Sequence, residues 1–395
     1  MSQYTDLFMN NLSAELYMEM REKDFQLDRP LKSLVVENGY ILPSMKNSET
    51  VTSKLWAIGG VADEFGKFIP ESEMGMLWGG EPQICYDLSH EEIVDEEVIF
   101  MGPFVEHWGH FICDEISRLW YFCKNGGPNF KIAYCSWLWG NDVTDYKLFG
   151  NYLELMHLIG IADNQLINIT KPTRFKKIII PERSFVSGEY YTQEYKLLID
   201  TIIKNASSAD FEKYSKVYFT RQRFADAKNK EYGEDDIVSF FEKNGYKILS
   251  PELLSVKEQI FYFQNCESIA MISGTIAHNL LFASSELNAT ILNKFSIIND
   301  YQIIVDHISK ASITYINAFC QVLPVLFGVG PFWLVINKHF RNWAKKQHFN
   351  YLGKRRNLKG YIWYIKQWKK QYIDNPVFKE LLKTQQKSLK KKKHT

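Results

Sequence analysis

The chain has 395 residues, 46% hydrophobic and 15% aromatic, which is enough apolar material to fill sizeable cores and too much for a disordered or fibrous protein. Its formal net charge of +1 conceals a split: residues 331–395 hold 18 Lys and Arg against two acids, Asp374 and Glu380, and the rest holds 29 basic against 44 acidic residues. An acidic body argues against nucleic acid, whose partners spread positive charge over the working face, and a start with neither a basic cluster nor a continuous apolar run does not read as a secretory signal.

Up to about Lys171, short apolar strands at 32–43 and 96–102 alternate with helical stretches, the clearest of which is expected to start near Val105. The segment 171–185 reads as a Pro-bounded crossing with one strand in it, and a domain boundary is placed there, at 175/176. Beyond it the order is plain: strand 216–220, helix 234–245 closed by Gly245, strand 246–250, a helix opened by a Ser255/Glu258 capping box, strand 268–273, a break at Gly274, a short helix to about Ala283, and strand 289–293. Such alternation implies βαβ units and a parallel sheet, so residues 176–312 read as one Rossmann-type domain. No repeat of solenoid or propeller length occurs. Six cysteines, at 85, 113, 123, 135, 266 and 320, lack any CxxC or zinc spacing and read as reduced thiols.

In parallel sheets, ligands gather at the carboxyl ends of strands, where helix N-termini attract anions. Two places fit: the end of strand 216–220, with Arg221 and Arg223, and the end of strand 268–273, with Ser273, Gly274 and Thr275. Both suit a diphosphate, although Gly274 also suits a plain strand-to-helix turn. Earlier, His110, Asp114 and Ser117 or Arg118 recur at i, i+4 and i+7 or i+8, with His107 one turn before, which lines ionisable groups along one helix face. An intrahelical ion pair of Asp114 with Arg118 is the bland alternative. A zinc site of His107, His110 and Asp114, implying a hydrolase, is another.

The segment HFICDEISRL, from His110 to Leu119, resembles the H-F-x-x-D-x-x-x-R-L motif of glycosyltransferase family 61. YFTRQRF is similar to that family's strand ending in S-R, with Arg221 in the arginine position. MISGTIAHNLLF resembles its I-x-G-x-x-G-A-x-x-x-N-x-x-F segment, keeping Gly274, Asn279 and Phe282 but with Ser273 for a histidine, Ile276 for the second glycine and His278 displaced. The resemblance covers roughly residues 100–295. It implies an inverting transferase of the GT-B type: α/β, with two Rossmann-type domains facing a cleft, the acceptor on the N-terminal one (1–175) and the nucleotide-sugar on the C-terminal one (176–312). No metal and no cofactor are implied, because arginines and helix N-termini can stabilise a leaving diphosphate. By this resemblance Asp114 is expected to be the base, with Glu115 and His110 in reserve. Arg221 and Arg223 are placed on the diphosphate; Ser273, Gly274, Thr275, His278 and Asn279 on the donor; Glu258 near the donor ribose; and His107 and Arg118 on the acceptor side. A non-catalytic glycan- or nucleotide-binding protein of the same fold is the alternative from another class.

The remainder, 313–395, reads as an apolar segment, interrupted by Pro324, Gly328, Gly330 and Pro331, followed by a basic helical tail. Tyr361, Tyr364, Ile365, Trp368 and Tyr372 form a stripe beside Lys359, Lys366, Lys369 and Lys370, the pattern of a helix lying in a membrane interface. The expected partners are therefore a nucleotide-sugar, a glycan or lipid-linked glycan, and an anionic membrane surface, with the protein cytoplasmic and peripheral on the inner face of the cytoplasmic membrane. The implied setting is bacterial surface-polysaccharide synthesis, such as capsule.

Overall fold

The computed structural model describes residues 8–46, 57–74, 86–88, 93–127, 129–137, 145–208, 210–228, 230–326, 328–353 and 358–392; Cys85 and the last lysine of the closing run lie outside them. The chain forms two compact units, Asp24–Ala209 with Ser255–Lys257, and Met1–Lys23 with Asp210–Leu254 and Glu258–Thr395. The expected cut at 175/176 would fall inside a single strand, Thr173–Pro181, and the divide lies after Ala209 instead. Helix α1 (Asn11–Glu22) belongs to the C-terminal unit.

The N-terminal unit is built on β1 (Ser33–Glu37), β2 (Tyr40–Lys46), β3 (Ala57–Ala62), β4 (Phe68–Ile69), β5 (Ile93–Val105), β6 (Lys131–Trp137), β7 (Leu166–Asn168) and β8 (Thr173–Pro181). Their order is β4-β3-β2-β8-β5-β6-β7, with β1 also on β8. Neighbours are parallel from β8 through β5 and β6 to β7 and antiparallel where β1 and β2 join β8. From Val98 to Val105 every residue of β5 is buried, as a central parallel strand covered on both faces requires. Helices α2 (Trp108–Cys113), α3 (Trp120–Asn125), α4 (Gly150–Ile159) and α5 (Gln193–Ala206) follow, with a small hairpin of β9 (Phe185–Val186) and β10 (Tyr190–Tyr191).

The helix expected from Val105 is corrected by this geometry. Strand β5 runs on to Val105, and the helical stretch is broken into α2, a 3₁₀ turn at Glu115–Arg118, and α3. Ser117 Oγ donates to the Asp114 carbonyl, and Ser184 N and Oγ both take up the Ser117 carbonyl. Those competing bonds replace the i to i−4 ladder at the break.

The C-terminal unit holds a five-stranded, all-parallel sheet: β11 (Lys216–Phe219), β13 (Lys247–Leu249), β14 (Ser268–Ile272), β15 (Asn288–Asn293) and β16 (Ser312–Asn317), in the order β13-β11-β14-β15-β16. A separate parallel pair joins β12 (Glu231–Tyr232) to β17 (Phe332–Trp333). The helices are α6 (Ala225–Lys228), α7 (Glu234–Lys243), α8 (Val256–Asn265), α9 (Asp300–Ile308), α10 (Lys338–Lys346), α11 (Leu358–Tyr372) and α12 (Pro376–Lys392). Three acids in the first turn of α7 and Lys243 in its last complement the helix dipole. This is a Rossmann-like α/β arrangement, and it extends past 312, because β16 is one of its strands.

Much of the segment 313–336 is packed inward: it supplies β16 and buries Val325, Leu326, Trp333, Leu334 and Ile336, although Val322 is exposed. The aromatic stripe of the tail is also turned inward. Tyr364 and Tyr372 are buried with Phe295, Leu326 and Phe332, Trp368 Nε1 donates to the Pro324 carbonyl at 2.8 Å, and Tyr364 Oη donates to the Leu323 carbonyl at 2.8 Å. The reading of that stripe as membrane-facing is corrected for Tyr364, Trp368 and Tyr372, whose rings pack on protein, while Tyr361 is exposed. Among the described residues no helix is long and apolar enough to cross a membrane.

Candidate functional site

In the N-terminal unit the His107–Arg118 segment lies just past the carboxyl end of β5. His107 caps α2 by accepting the His110 backbone N–H at 3.4 Å, and the two imidazoles lie 4.6 Å apart between centroids. One turn on, His110 Nδ1 meets Asp114 Oδ2 at 3.0 Å, the side chains being 18% and 4% exposed. The i, i+4 spacing thus produces the pairing it suggests, and the histidine is the more accessible member. Glu115 points inward, both carboxyl oxygens taking the Val105 N–H at 3.2 and 3.3 Å. Burial holds its carboxyl well above the usual range, against that bond and with the help of Asp114. Beside α2, the Tyr152 ring packs 5.0 Å from Phe111, 5.1 Å from Phe104 and 5.8 Å from Trp108.

Arg118 is not on the acceptor side and does not hold Asp114. It is 1% exposed. Its Nε donates to the Pro181 carbonyl, its Nη2 to those of Glu71 and Glu73, and its Nη1 to that of Met101 and to the Met74 sulfur. Each N–H of the fork has a partner, so the residue ties itself to three distant chain segments.

In the C-terminal unit, three adjacent strands β11, β14 and β15 end side by side. Glu234 Oε1 accepts from Tyr218 Oη, Thr220 Oγ1 and the Arg221 N–H at 3.0, 3.0 and 2.8 Å, fixing the turn that follows β11. Burial still raises its carboxyl, with those three bonds opposing. Arg221 Nε reaches Glu231 Oε2 at 3.1 Å, and from the end of β15 Lys294 Nζ reaches Glu231 Oε1 at 2.9 Å. Between them Gly274 has φ of +156°, and a Cβ there would lie 3.2 Å from Arg221 Nη1 and 4.0 Å from Lys294 Nζ. The bare Cα is a steric requirement of this corner. Ser273, Gly274 and Thr275 are half-buried, and Ser273 Oγ accepts the Lys294 N–H at 3.3 Å. Arg223 is exposed.

The remaining expected donor contacts lie behind this corner. Asn279 is fully buried, its Nδ2 donating to Gln259 Oε1 at 2.7 Å. Gln259 in turn holds the Pro251 and Leu254 carbonyls. His278 is buried against Gln302 at 2.9 Å. Glu258 is half-buried and accepts from Tyr262 Oη at 3.5 Å. Direct ligand contact is therefore not what Asn279 and His278 are placed for. Glu231, Glu234 and Lys294 were missed by sequence reasoning. Lys294 follows the strand 289–293 directly, so its position at a third carboxyl end was the signal available.

A depression of about 550 Å³ lined by Lys213, Tyr214, Lys216, Asn244, Tyr246 and Lys247 lies at the amino ends of β11 and β13. That is the opposite edge of the sheet from Arg221 and Gly274. Among the described residues no three His, Cys, Asp or Glu side chains are grouped to hold a metal ion, which leaves the His107, His110 and Asp114 zinc reading without a ligand set. The five described cysteines are free thiols.

A parallel sheet with cations at its carboxyl edge defines a Rossmann-like α/β protein. Residues 108–291 match the family model Glycosyltransferase 61, the family that the three motifs resemble, and the match runs through both the His110–Asp114 pair and the Arg221–Gly274 corner. The similarity to glycosyltransferase family 61 thus spans residues 108–291. No curated protein matches the chain.

Proposed function

We propose that the chain is an inverting, metal-independent glycosyltransferase of the GT-B type that moves a sugar from a nucleotide-sugar to a glycan, lipid-linked at a membrane, in bacterial surface-polysaccharide synthesis. The family match over 108–291 carries this reading. His110 is the base and Asp114 its positioning residue, a change from the expected order, because the carboxylate is the more buried of the two. Asp114 accepts from Nδ1–H, so proton chemistry falls to Nε2. The imidazole takes the proton of the acceptor hydroxyl. The oxygen then bonds to the anomeric carbon from the face opposite the leaving group, and the bond from that carbon to the phosphate oxygen breaks. Arg221, Thr275 and the bare backbone at Gly274 take the departing diphosphate. Trp108 and Tyr152 offer aromatic faces to an acceptor sugar ring.

Transfer assayed over a panel of nucleotide-sugars and glycan acceptors tests this. Asp114→Asn and His110→Gln should each lower turnover by about 10²- to 10⁴-fold while leaving nucleoside diphosphate binding intact. Undiminished turnover in both would remove the pair from the mechanism. Activity should persist in EDTA; its loss there would favour the metal-dependent hydrolase, and binding without any turnover the non-catalytic reading.

Membrane attachment is proposed through the outer side of the tail, where Leu358, Ile362, Ile373, Val377 and Leu381 are exposed among Lys359, Lys366, Lys369, Lys370, Lys379 and Lys383. Anionic headgroups attract such lysines by about 1 kcal/mol each near the surface. Deleting 338–395 would remove Phe340 and Trp343 from a core, so substitution of Ile362, Ile373 and Val377 by serine is the cleaner variant. Sedimentation with phosphatidylglycerol vesicles should fall in that variant, and equal sedimentation would dismiss the attachment.

A further inference from the structure

We infer that Lys294 is a second phosphate-binding cation, set beside Arg221 by the carboxylate of Glu231, and that the pair is built to grip the terminal phosphate of a nucleoside diphosphate. The inference rests on the donor reading above and adds to it a residue that lies beyond the family match.

Strand order carries the first part of the argument. Arg221 follows β11 and Lys294 follows β15, the two neighbours of β14, so their side chains converge from opposite sides on Gly274 at the end of β14. Strands stand about 4.8 Å apart, and cations on the two flanking strands therefore bracket a tetrahedral anion rather than compete for one oxygen.

Donor accounting carries the second. Glu231 takes one Nζ–H of Lys294 and the Nε–H of Arg221. Two ammonium hydrogens and both Nη groups of the guanidinium make no hydrogen bond among the described residues, their other contacts being the Phe332 and Phe224 rings, and Nη1 is the atom that a Cβ on Gly274 would meet first. Lys294 and Arg221 are only 10% and 13% exposed at the side chain. The two largely buried cations share Glu231, since Glu234 takes the backbone N–H of Arg221 and not its guanidinium, and a buried charge is costly unless it is met. An anion with several acceptor oxygens meets both needs at once.

The third part is rigidity. Lys294 Nζ lies 4.7 Å above the Phe332 ring, a cation–π contact, and its backbone N–H is held by Ser273 Oγ. Glu231 is fixed in turn by the β12–β17 pairing opposite Phe332. Burial pulls the Lys294 ammonium down, with Glu231 opposing and Arg221 adding to the shift. Glu231 is lowered despite its burial, because Lys294 and Arg221 outweigh it. The direction of Glu231 is the one a salt bridge gives, whereas that of Lys294 is burial outweighing the bridge, a cost that a bound anion would relieve.

The test is calorimetric titration of the full chain with uridine, guanosine, cytidine and adenosine diphosphates and with the matching monophosphates. Lys294→Met should weaken the diphosphate that binds best by about tenfold or more, the size of one lost charge-assisted contact, and the matching monophosphate much less. Lys294→Gln, which keeps a donor for Glu231 and hence the fold, should show the same selective loss. Wild-type diphosphate affinity in both variants, or equal weakening of mono- and diphosphate, overturns the role of Lys294 alone. Failure of the wild type to bind any nucleoside diphosphate removes the donor reading and this inference with it.

Discussion

Arg118 and Arg221 stand at the arginine positions of two family motifs, yet the regions around them use the same side chain in opposite ways. Around Arg118 the chain folds back from 71–74, 101 and 181 to present carbonyl oxygens, and no donor is left over. Around Arg221 the backbone N–H and Nε are engaged by Glu234 and Glu231, while both Nη groups are left for something else. A motif arginine is thus assigned by counting its hydrogens: a fully satisfied fork holds a fold together, and a half-satisfied one awaits an anion.

Chemical denaturation of Arg118→Met should show the largest effect, a loss of roughly 3–5 kcal/mol, because carbonyls of three segments lose their donor together. Arg221→Met should cost less stability than Arg118→Met, because Lys294 still meets Glu231, and should cut nucleoside diphosphate affinity by about tenfold or more. Equal destabilisation by the two would erase the distinction. Asp306 sharpens it from another side, as a buried group used for neither purpose. Burial pushes its carboxyl up to about 7, against bonds from Gln302, Tyr315 and Tyr17. A carboxyl raised on folding contributes stability below its unfolded pKa near 4 and loses it as pH climbs through about 7. Stability should accordingly fall between those values by an amount on the order of 4 kcal/mol, and Asp306→Asn should flatten the curve; an unchanged slope would place the titration elsewhere. The smallest effect is expected of Gly274→Ala. Strain at that backbone angle and pressure on Arg221 Nη1 should cost about 1–2 kcal/mol and weaken diphosphate binding severalfold, and an unperturbed variant would show that the corner is not tight.

The parts of the C-terminal unit that were legible in sequence are those set by local periodicity. Strands at 216–219, 247–249, 268–272 and 288–293 and the helix from Glu234 lie where alternation and caps put them. The helix after Val105 was not legible, since its break depends on Ser184 and the 71–74 segment, which are remote in sequence. The site divides the same way. His110 with Asp114 follows from a four-residue spacing, and Arg221 and Gly274 from strand ends. Lys294 and Glu231 depend on which strands become neighbours, and Arg118 was misassigned because its partners are backbone oxygens that composition does not reveal. The tail was misread for a related reason: aromatic residues along a helix face announce burial without naming the surface that covers them.

Helix α1 packs within the C-terminal unit, its Tyr17 ring 4.8 Å from Tyr315 and Ser13 Oγ donating to the Ser296 carbonyl at 3.1 Å. During synthesis at about 5–20 residues per second, that helix leaves the ribosome roughly 15–60 seconds before Tyr315 does. The whole unit of Asp24–Ala209 is made in the interval. The nascent chain must therefore carry that helix without its native surface throughout, and any fragment meant to fold as the C-terminal unit alone should include residues 11–22.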